Sequence, residues 1–172
     1  MLHLITDSHV PRARLLDVIG EAVEAGADAV HARDASLSAR DLFELTTSIR
    51  DVVRGRARLL VNDRLDVALA AGADGVQLPA HGIPAHAART VAGTSFLIGV
   101  STHTLEEARC AEVSHADFVL FGSVYATSSH PGSSGLGVEM VTEVANAVRI
   151  PVIAIGGITA DRVGPVLRAG AR

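Results

Sequence analysis

The sequence predicts an α/β fold, a TIM-type (β/α)8 barrel truncated after its seventh β-α unit, and three observations predict it. A short junction recurs: Ala25-Gly-Ala-Asp28 before Ala29-Val-His31, Ala71-Gly-Ala-Asp74 before Gly75-Val-Gln77, and the looser His115-Ala-Asp117 before Phe118-Val-Leu-Phe121. In each, a glycine or small residue closes a helix and a short apolar strand follows, the αβ junction of a repeating unit. The strands lack polar alternation, which indicates burial on both faces inside a ring of helices rather than an open antiparallel sheet. Near the C-terminus, Pro151-Val-Ile-Ala-Ile-Gly-Gly-Ile-Thr-Ala-Asp161 reads as a buried strand, a bare glycine turn and a helix start.

Taken in order, the first unit is a strand over 2–6 and a helix over 12–24. Leu15, Val18, Ile19, Ala22 and Val23 recur there at the three-and-four spacing that buries one helix face. The first junction opens the second unit, strand 29–33 and helix 39–53. Strand 58–61 and a short helix over 65–70 form the third. The second junction opens the fourth, strand 75–78 and helix 84–91, followed by strand 96–100 and helix 105–113 as the fifth. The third junction leads into strand 118–121; a Ser/Gly-rich loop over 126–137, long enough to close over a ligand, connects it to helix 139–148. Strand 152–155 and helix 160–168 complete the seventh. The chain then reads Ala169-Gly-Ala-Arg172, the junction that elsewhere precedes a strand. The expectation is one domain over residues 1–172 lacking its eighth unit, with two sheet edges that a homo-oligomer could cover.

Composition narrows the partners. With 172 residues, 48% hydrophobic and 20% charged, the chain is globular and long enough for one well-filled core. A net charge of −4 and scattered basic residues give no stripe for nucleic acid and no basic amphipathic helix for a membrane surface. A small metabolite is the expected partner. The single cysteine, Cys110, excludes an intramolecular disulfide framework, suits a reducing cytoplasm, and reads as a small packing residue. Met1-Leu-His-Leu-Ile-Thr6 carries neither a basic leader nor a long apolar run, so a cytoplasmic location is expected. All 15 basic residues are arginine, and without a lysine amine the Schiff-base aldolase chemistry common in such barrels is excluded.

In this fold class the C-terminal strand ends face the site. They carry Asp7, His31, Arg33, Asn62, Asp63, Gln77, Ser101, His103, Ser123, Gly156 and Gly157. The amides of Gly156 and Gly157 can approach a phosphate, half of the anchor that the loops after strands seven and eight commonly build; the plain alternative is a tight turn. Arg33, inside a barrel, needs an anion, either substrate or a carboxylate such as Asp63. Imidazole suits proton transfer because its unperturbed pKa is about 6.5. His31 lies on a strand expected to point into the barrel mouth, and His130 lies in the Ser/Gly-rich loop; the alternatives are a hydrogen-bonded structural histidine and an exposed loop residue. His81, His86, His103 and His115 lack metal-ligand pairing and read as surface or capping groups.

These residues resemble the thiamine phosphate synthase and TenI family of barrels. The likeness runs from Leu4-Ile-Thr-Asp7 through His31-Ala-Arg33, Val61-Asn-Asp63, Gly75-Val-Gln-Leu78, Gly99-Val-Ser101, Phe118-Val-Leu-Phe-Gly122 and Thr127 to Ala154-Ile-Gly-Gly-Ile158. It implies a thiazole phosphate ligand, held at its phosphate by Gly156 and Gly157 and elsewhere by Arg33, Asn62, Ser101, Thr127 and Ser129, with the family's second phosphate loop beyond Arg172. Two activities live in the family. The synthase joins a pyrimidine pyrophosphate to the thiazole and needs Mg²⁺ and cationic groups for the leaving pyrophosphate. Its pattern has lysine where this chain has Ala35, a second magnesium aspartate where it has Gly82, and lysine where it has His130, so Asp63 is left as the lone metal carboxylate. The TenI-type tautomerase moves a proton to aromatise a thiazole phosphate and needs no metal. His31 in place of the synthase glutamine, and Gln77-Leu-Pro79 in place of histidine-leucine-glycine, resemble that branch. Its acid-base histidine falls on Ser123, whose hydroxyl cannot exchange protons near neutral pH without an adjacent base, so that role passes to His31 or His130. The expectation is therefore a thiazole tautomerase without cofactor. Thiamine phosphate synthase using Mg²⁺ at Asp63, and a non-catalytic regulatory paralogue, are the alternatives.

Overall fold

The computed structural model describes residues 1–127 and 134–172. It has the predicted fold class, seven parallel β-α units of the TIM type. The elements are β1 (His3–Ile5), α1 (Arg12–Glu24), β2 (Ala29–Ala32), α2 (Ala39–Val53), β3 (Arg58–Asn62), α3 (Leu65–Ala70), β4 (Gly75–Leu78), α4 (Ala85–Ala92), β5 (Leu97–Thr102), α5 (Leu105–Val113), β6 (Phe118–Gly122), α6 (Val138–Ala147), β7 (Val152–Ile155) and α7 (Ala160–Arg168). Helices α1, α2, α3, α5 and α7 begin and end on the predicted residues. Strand β5 runs two residues further than predicted, which puts Ser101 inside it. Among the described residues no helix is long and apolar enough to cross a membrane. Cys110 is exposed on α5, not packed as expected.

The chain divides into two compact units, residues 1–77 with 92–97, and residues 78–91 with 98–172. In the first, β1, β2, β3 and the start of β4 form a parallel ladder that aligns Ile5 with His31, His31 with Leu60, Leu60 with Gly75, and Asn62 with Gln77. Helix α2 lies on β2 and β3 and against α1 and α3. Ile19, Val30, Ile49 and Val61 have no exposed surface, and each such buried side chain contributes roughly 1.5–3 kcal/mol of transfer free energy. In the second unit β5, β6 and β7 are parallel neighbours, with Phe121 fully buried and α6 packed on β7 and between α5 and α7.

The recurring junction has a physical cause. The Asp28 carboxylate takes the Leu2 amide at 2.6 Å, Asp74 takes the Leu59 amide at 2.8 Å, and Asp117 takes the Ile98 amide at 2.7 Å. Each aspartate thus satisfies an amide at the start of a neighbouring strand: Leu2 directly precedes β1, and Leu59 and Ile98 are the second residues of β3 and β5. The residue two places before each aspartate has positive φ: Gly26, Gly72 and, in the looser copy, His115 at 65°. Gly170 repeats that conformation, and the Arg172 amide bonds the Val152 carbonyl at 3.0 Å as the Asp28 amide bonds that of Leu2.

Candidate functional site

The first unit's strand ends hold the charged candidates. The Thr6 hydroxyl donates to the Arg33 carbonyl and accepts from the Arg33 amide, both at 2.8 Å, and the Thr6 amide bonds the His31 carbonyl at 3.0 Å. Arg33 is therefore fixed at its backbone, while its exposed guanidinium makes no hydrogen bond or ion pair among the described residues. It borders a cleft of about 280 Å³ also lined by Asp7, Asp34 and Asp41. Those carboxylates are already committed. Asp7 takes the His9 amide at 2.9 Å and imidazole at 2.8 Å, Asp34 the Ser36 amide and hydroxyl, and Asp41 the Ser38 hydroxyl. The His9 amide holds Asp7 below its usual carboxylate range, with the His9 ring and then Arg33 adding to the effect. An incoming anion meets Arg33 without displacing a bonded partner.

Asn62 ends β3, and Asp63 leaves it with φ 63°, a left-handed conformation that Asp and Asn tolerate better than other non-glycine residues. The Asp63 amide bonds the Gln77 carbonyl at 2.8 Å, which pins this bend to the end of β4. Its carboxylate is exposed and makes no hydrogen bond or ion pair among the described residues. The adjacent Arg64 is occupied by a two-pronged pair with Asp66, at 2.9 and 2.5 Å.

His31 differs from its expectation. Its side chain is completely buried, one layer below Arg33, with Nε2 2.9 Å from Nδ1 of His3 and with Nδ1 lacking a hydrogen-bond partner among the described residues. Burial, and secondarily the positive charge His3 would carry, push its pKa down to about 3. The expected barrel-mouth acid-base group is instead a neutral, weakly basic imidazole closed off from solvent, poorly matched to proton transfer near pH 7.

The second unit presents backbone rather than charge. Gly156 and Gly157 follow β7 with φ 96° and 63°, and their amides have no acceptor among the described residues. The turn packs on the end of β6: a Cβ on Gly156 would lie 2.6 Å from Ser123 Cα, and one on Gly157 2.5 Å from the Ala126 carbonyl oxygen. Both the close approach and the positive φ require glycine, and the bare amides make a concavity of the kind that can take an anion. Ser123 stands against this turn, half-buried, and its carbonyl accepts from Leu136 at 2.9 Å. Ser101, inside β5, and Thr127 are half-buried. Ser129 and His130 lie outside the described residues.

Arg162 and Tyr125, passed over by sequence reasoning, and His103, read there only as a surface or capping group, stand beside this turn or its neighbours. His103 Nδ1 meets the Gly122 carbonyl at 2.5 Å, which requires that nitrogen to be the protonated one. Its amide bonds Glu107 at 2.6 Å, and Glu107 is itself tied to the Thr104 cap, so the capping role was legible and the ring's position was not. Arg162 donates to the Gly157 carbonyl at 2.8 Å and lies over the Tyr125 ring at 4.5 Å. Its only sequence signal is a place in the first helical turn after the glycine pair.

The donor set for a metal is thin. Among the described residues no group of three His, Cys, Asp or Glu side chains could hold an ion. Gly82, where the resemblance puts a second aspartate, closes a turn on the Pro79 carbonyl at 3.0 Å, and a Cβ there would lie 2.9 Å from both Cγ and Cδ of Pro79. The two departures from the family pattern, proline at 79 and glycine at 82, are thus sterically coupled. Mg²⁺ can be held through one carboxylate when phosphate oxygens and water complete its shell, so Asp63 fits an ion that arrives on a pyrophosphate.

A family profile described as thiamine monophosphate synthase matches residues 2–172. The chain is similar to a thiamine-phosphate synthase of Moorella thermoacetica, 42% identical over 158 residues, which cover 91% of this chain and 75% of that protein. It is also similar to a thiamine-phosphate synthase of Methanoculleus marisnigri, 40% identical over 173 residues, covering 99% of this chain and 82% of that one. Among solved structures it matches a thiamine phosphate pyrophosphorylase from Pyrococcus furiosus with a TM-score of 0.88 and 37% identity, over 99% of this chain and 81% of that one.

Proposed function

We propose that this chain, which belongs to the thiamine monophosphate synthase family, acts as a thiamine-phosphate synthase, joining a pyrimidine pyrophosphate to a thiazole phosphate. The observation that carries this reading is the state of the first unit's polar groups. Arg33 and Asp63 are exposed and uncommitted, as a pyrophosphate and its cation require, whereas His31, the tautomerase's acid-base candidate, is buried and neutral. The relatives at 40–42% identity, named thiamine-phosphate synthase, support the same choice over the tautomerase.

In the proposed reaction the thiazole nitrogen supplies an electron pair to the pyrimidine's methylene carbon, the carbon–oxygen bond breaks, and pyrophosphate leaves with that bond's electrons. Arg33 meets charge on the departing group. Asp63 would hold Mg²⁺ carried in by the pyrophosphate, which when bound would neutralise further charge. Asn62 orients the ligand, Gly156 and Gly157 take the thiazole's phosphate through their amides, and Ser101, Ser123, Thr127 and Ser129 supply hydroxyls. Incubation with both precursors and Mg²⁺ is expected to release thiamine phosphate and pyrophosphate in equal amounts. No product at any Mg²⁺ concentration overturns the reading.

A specific observation keeps the tautomerase as a second reading: Ala35 cannot supply a cation, and the Pro79 ring crowds any side chain at 82, where the family pattern has a carboxylate. Metal-independent aromatisation of the thiazole phosphate tautomer, without condensation, would establish it.

A further inference from the structure

We propose that Arg162, held against the ring of Tyr125, is a positioning residue that sets the Gly156–Gly157 turn to receive a phosphomonoester; this rests on the phosphate role given to that turn above. Three successive carbonyls there are each taken from the protein side. Ile155 accepts from the Val124 amide at 2.8 Å, Gly156 from the Tyr125 amide at 3.0 Å, and Gly157 from the Arg162 guanidinium at 2.8 Å. In a trans peptide the N–H opposes the preceding C=O, so these bonds turn the amides of Gly156, Gly157 and Ile158 the other way. None of the three amides has an acceptor among the described residues.

The three anchors are not equivalent. The first two continue the main-chain pairing of β6 with β7 and depend on no side chain. At Gly157 the backbone has left the strand, and among the described residues Arg162 alone holds the carbonyl. Its guanidinium lies 4.5 Å from the Tyr125 ring centroid, within cation–π distance, and Tyr125 Cβ also closes on Gly157, at 2.9 Å from where a Cβ would be. Tyr125 therefore both packs on the turn and orients the arginine that holds it. The guanidinium also leaves a positive charge behind amides that face an anion, which favours a doubly charged ester over its neutral alcohol.

The test follows the Gly156, Gly157 and Ile158 amide resonances as inorganic phosphate, thiazole phosphate and the unphosphorylated thiazole alcohol are added, with steady-state kinetics in parallel. Wild type is expected to shift those amides with both phosphates. Arg162→Ala should weaken both by about tenfold, the worth of one charge-assisted hydrogen bond, and raise the thiazole phosphate KM alike. The alcohol's affinity, the pyrimidine pyrophosphate KM and kcat at saturation should stay within about twofold. Tyr125→Leu should reproduce a several-fold part of the loss and Tyr125→Phe, which keeps the ring, should recover it; this pair carries the test should Arg162→Ala not fold. Unchanged phosphate affinity in folded Arg162→Ala overturns the proposal. So does a loss in Arg162→Ala with none in Tyr125→Leu, which would mean direct contact with phosphate. Thiazole phosphate failing to bind while inorganic phosphate behaves as expected would sink the synthase reading and leave the turn's role standing.

Discussion

In the proposed reading the two compact units hold an anion by opposite means. The first uses side chains: Arg33 and Asp63 project from strand ends with their backbones bonded and their charges unspent. The second uses main chain: a glycine turn whose carbonyls are bonded behind it and whose amides face outward. Charge on a long side chain can be deleted with little effect on the fold. An amide cradle cannot be deleted at all, only deformed, because its donors belong to the strand exit itself. Substitutions should therefore separate binding from stability in the first unit and join them in the second.

The largest effect is expected at Gly157→Ala, where the added methyl meets the Ala126 carbonyl oxygen at 2.5 Å from a backbone already at φ 63°. Neither that oxygen nor Tyr125 Cβ, 2.9 Å away, is a flexible side-chain tip, so a loss of about 3 kcal/mol in urea unfolding is expected, together with loss of phosphate-induced amide shifts. Intact stability with lost binding would break the comparison. Asp63→Asn is the opposite experiment. Asparagine keeps the size and tolerates φ 63°, so stability should stay within about 0.5 kcal/mol. Thiamine phosphate formation should drop by about a hundredfold, with a raised Mg²⁺ requirement. A comparable fall in stability would mean that Asp63 serves the fold.

A pH experiment sharpens the contrast next. His31 is buried neutral with its pKa lowered to about 3, against about 6.5 in an unfolded chain. The unfolded state thus binds the proton more readily, and the stabilisation is complete above about pH 6.5 and lost as pH falls toward 3. His3, shifted the same way by its burial, adds to the loss. Urea unfolding at pH 5 should show stability about 2 kcal/mol below that at pH 7, and His31→Gln should flatten the slope by about one proton. An unchanged slope in His31→Gln would show that the acid sensitivity lies outside this pair.

What could be read in advance follows from the same physics. The β-α repeat was legible because its cause is local: a positive-φ residue, then an aspartate that caps the neighbouring strand's amide, as Asp28, Asp74 and Asp117 do. The glycine pair was legible for the same reason, since conformation and close approach both demand bare α-carbons. His31 was placed on the correct strand face yet misjudged in depth. Alternation tells which way a side chain points and not how many layers lie above it, and Arg33, one layer on, is the exposed one. Arg162 and Tyr125 were invisible because their relation spans 37 residues and two strand exits. Pro79 and Gly82 were read as two separate departures from a pattern, when a single contact distance makes them one.

The smallest expected effect tests the repeat that both units share. In the first unit the residue before Ala27 and before Ala73 is glycine, at φ 99° and 64°; in the second, His115 takes φ 65° in the equivalent place. A non-glycine residue in that region costs about 1–2 kcal/mol, partly offset by the greater freedom glycine has when unfolded. His115→Gly should therefore stabilise the protein by about 0.5–1 kcal/mol, raising the melting temperature by about 1–4 °C. His115 is exposed, and its carbonyl, which accepts from Arg89 at 3.1 Å, is retained in the variant. Gly26→Ala runs the exchange backwards: no heavy atom lies within 4 Å of the new methyl, so its loss of about 1 kcal/mol would be conformational strain alone. If His115→Gly destabilises instead, the imidazole is contributing packing that the junction in the first unit does without, and the two copies are alike in sequence only.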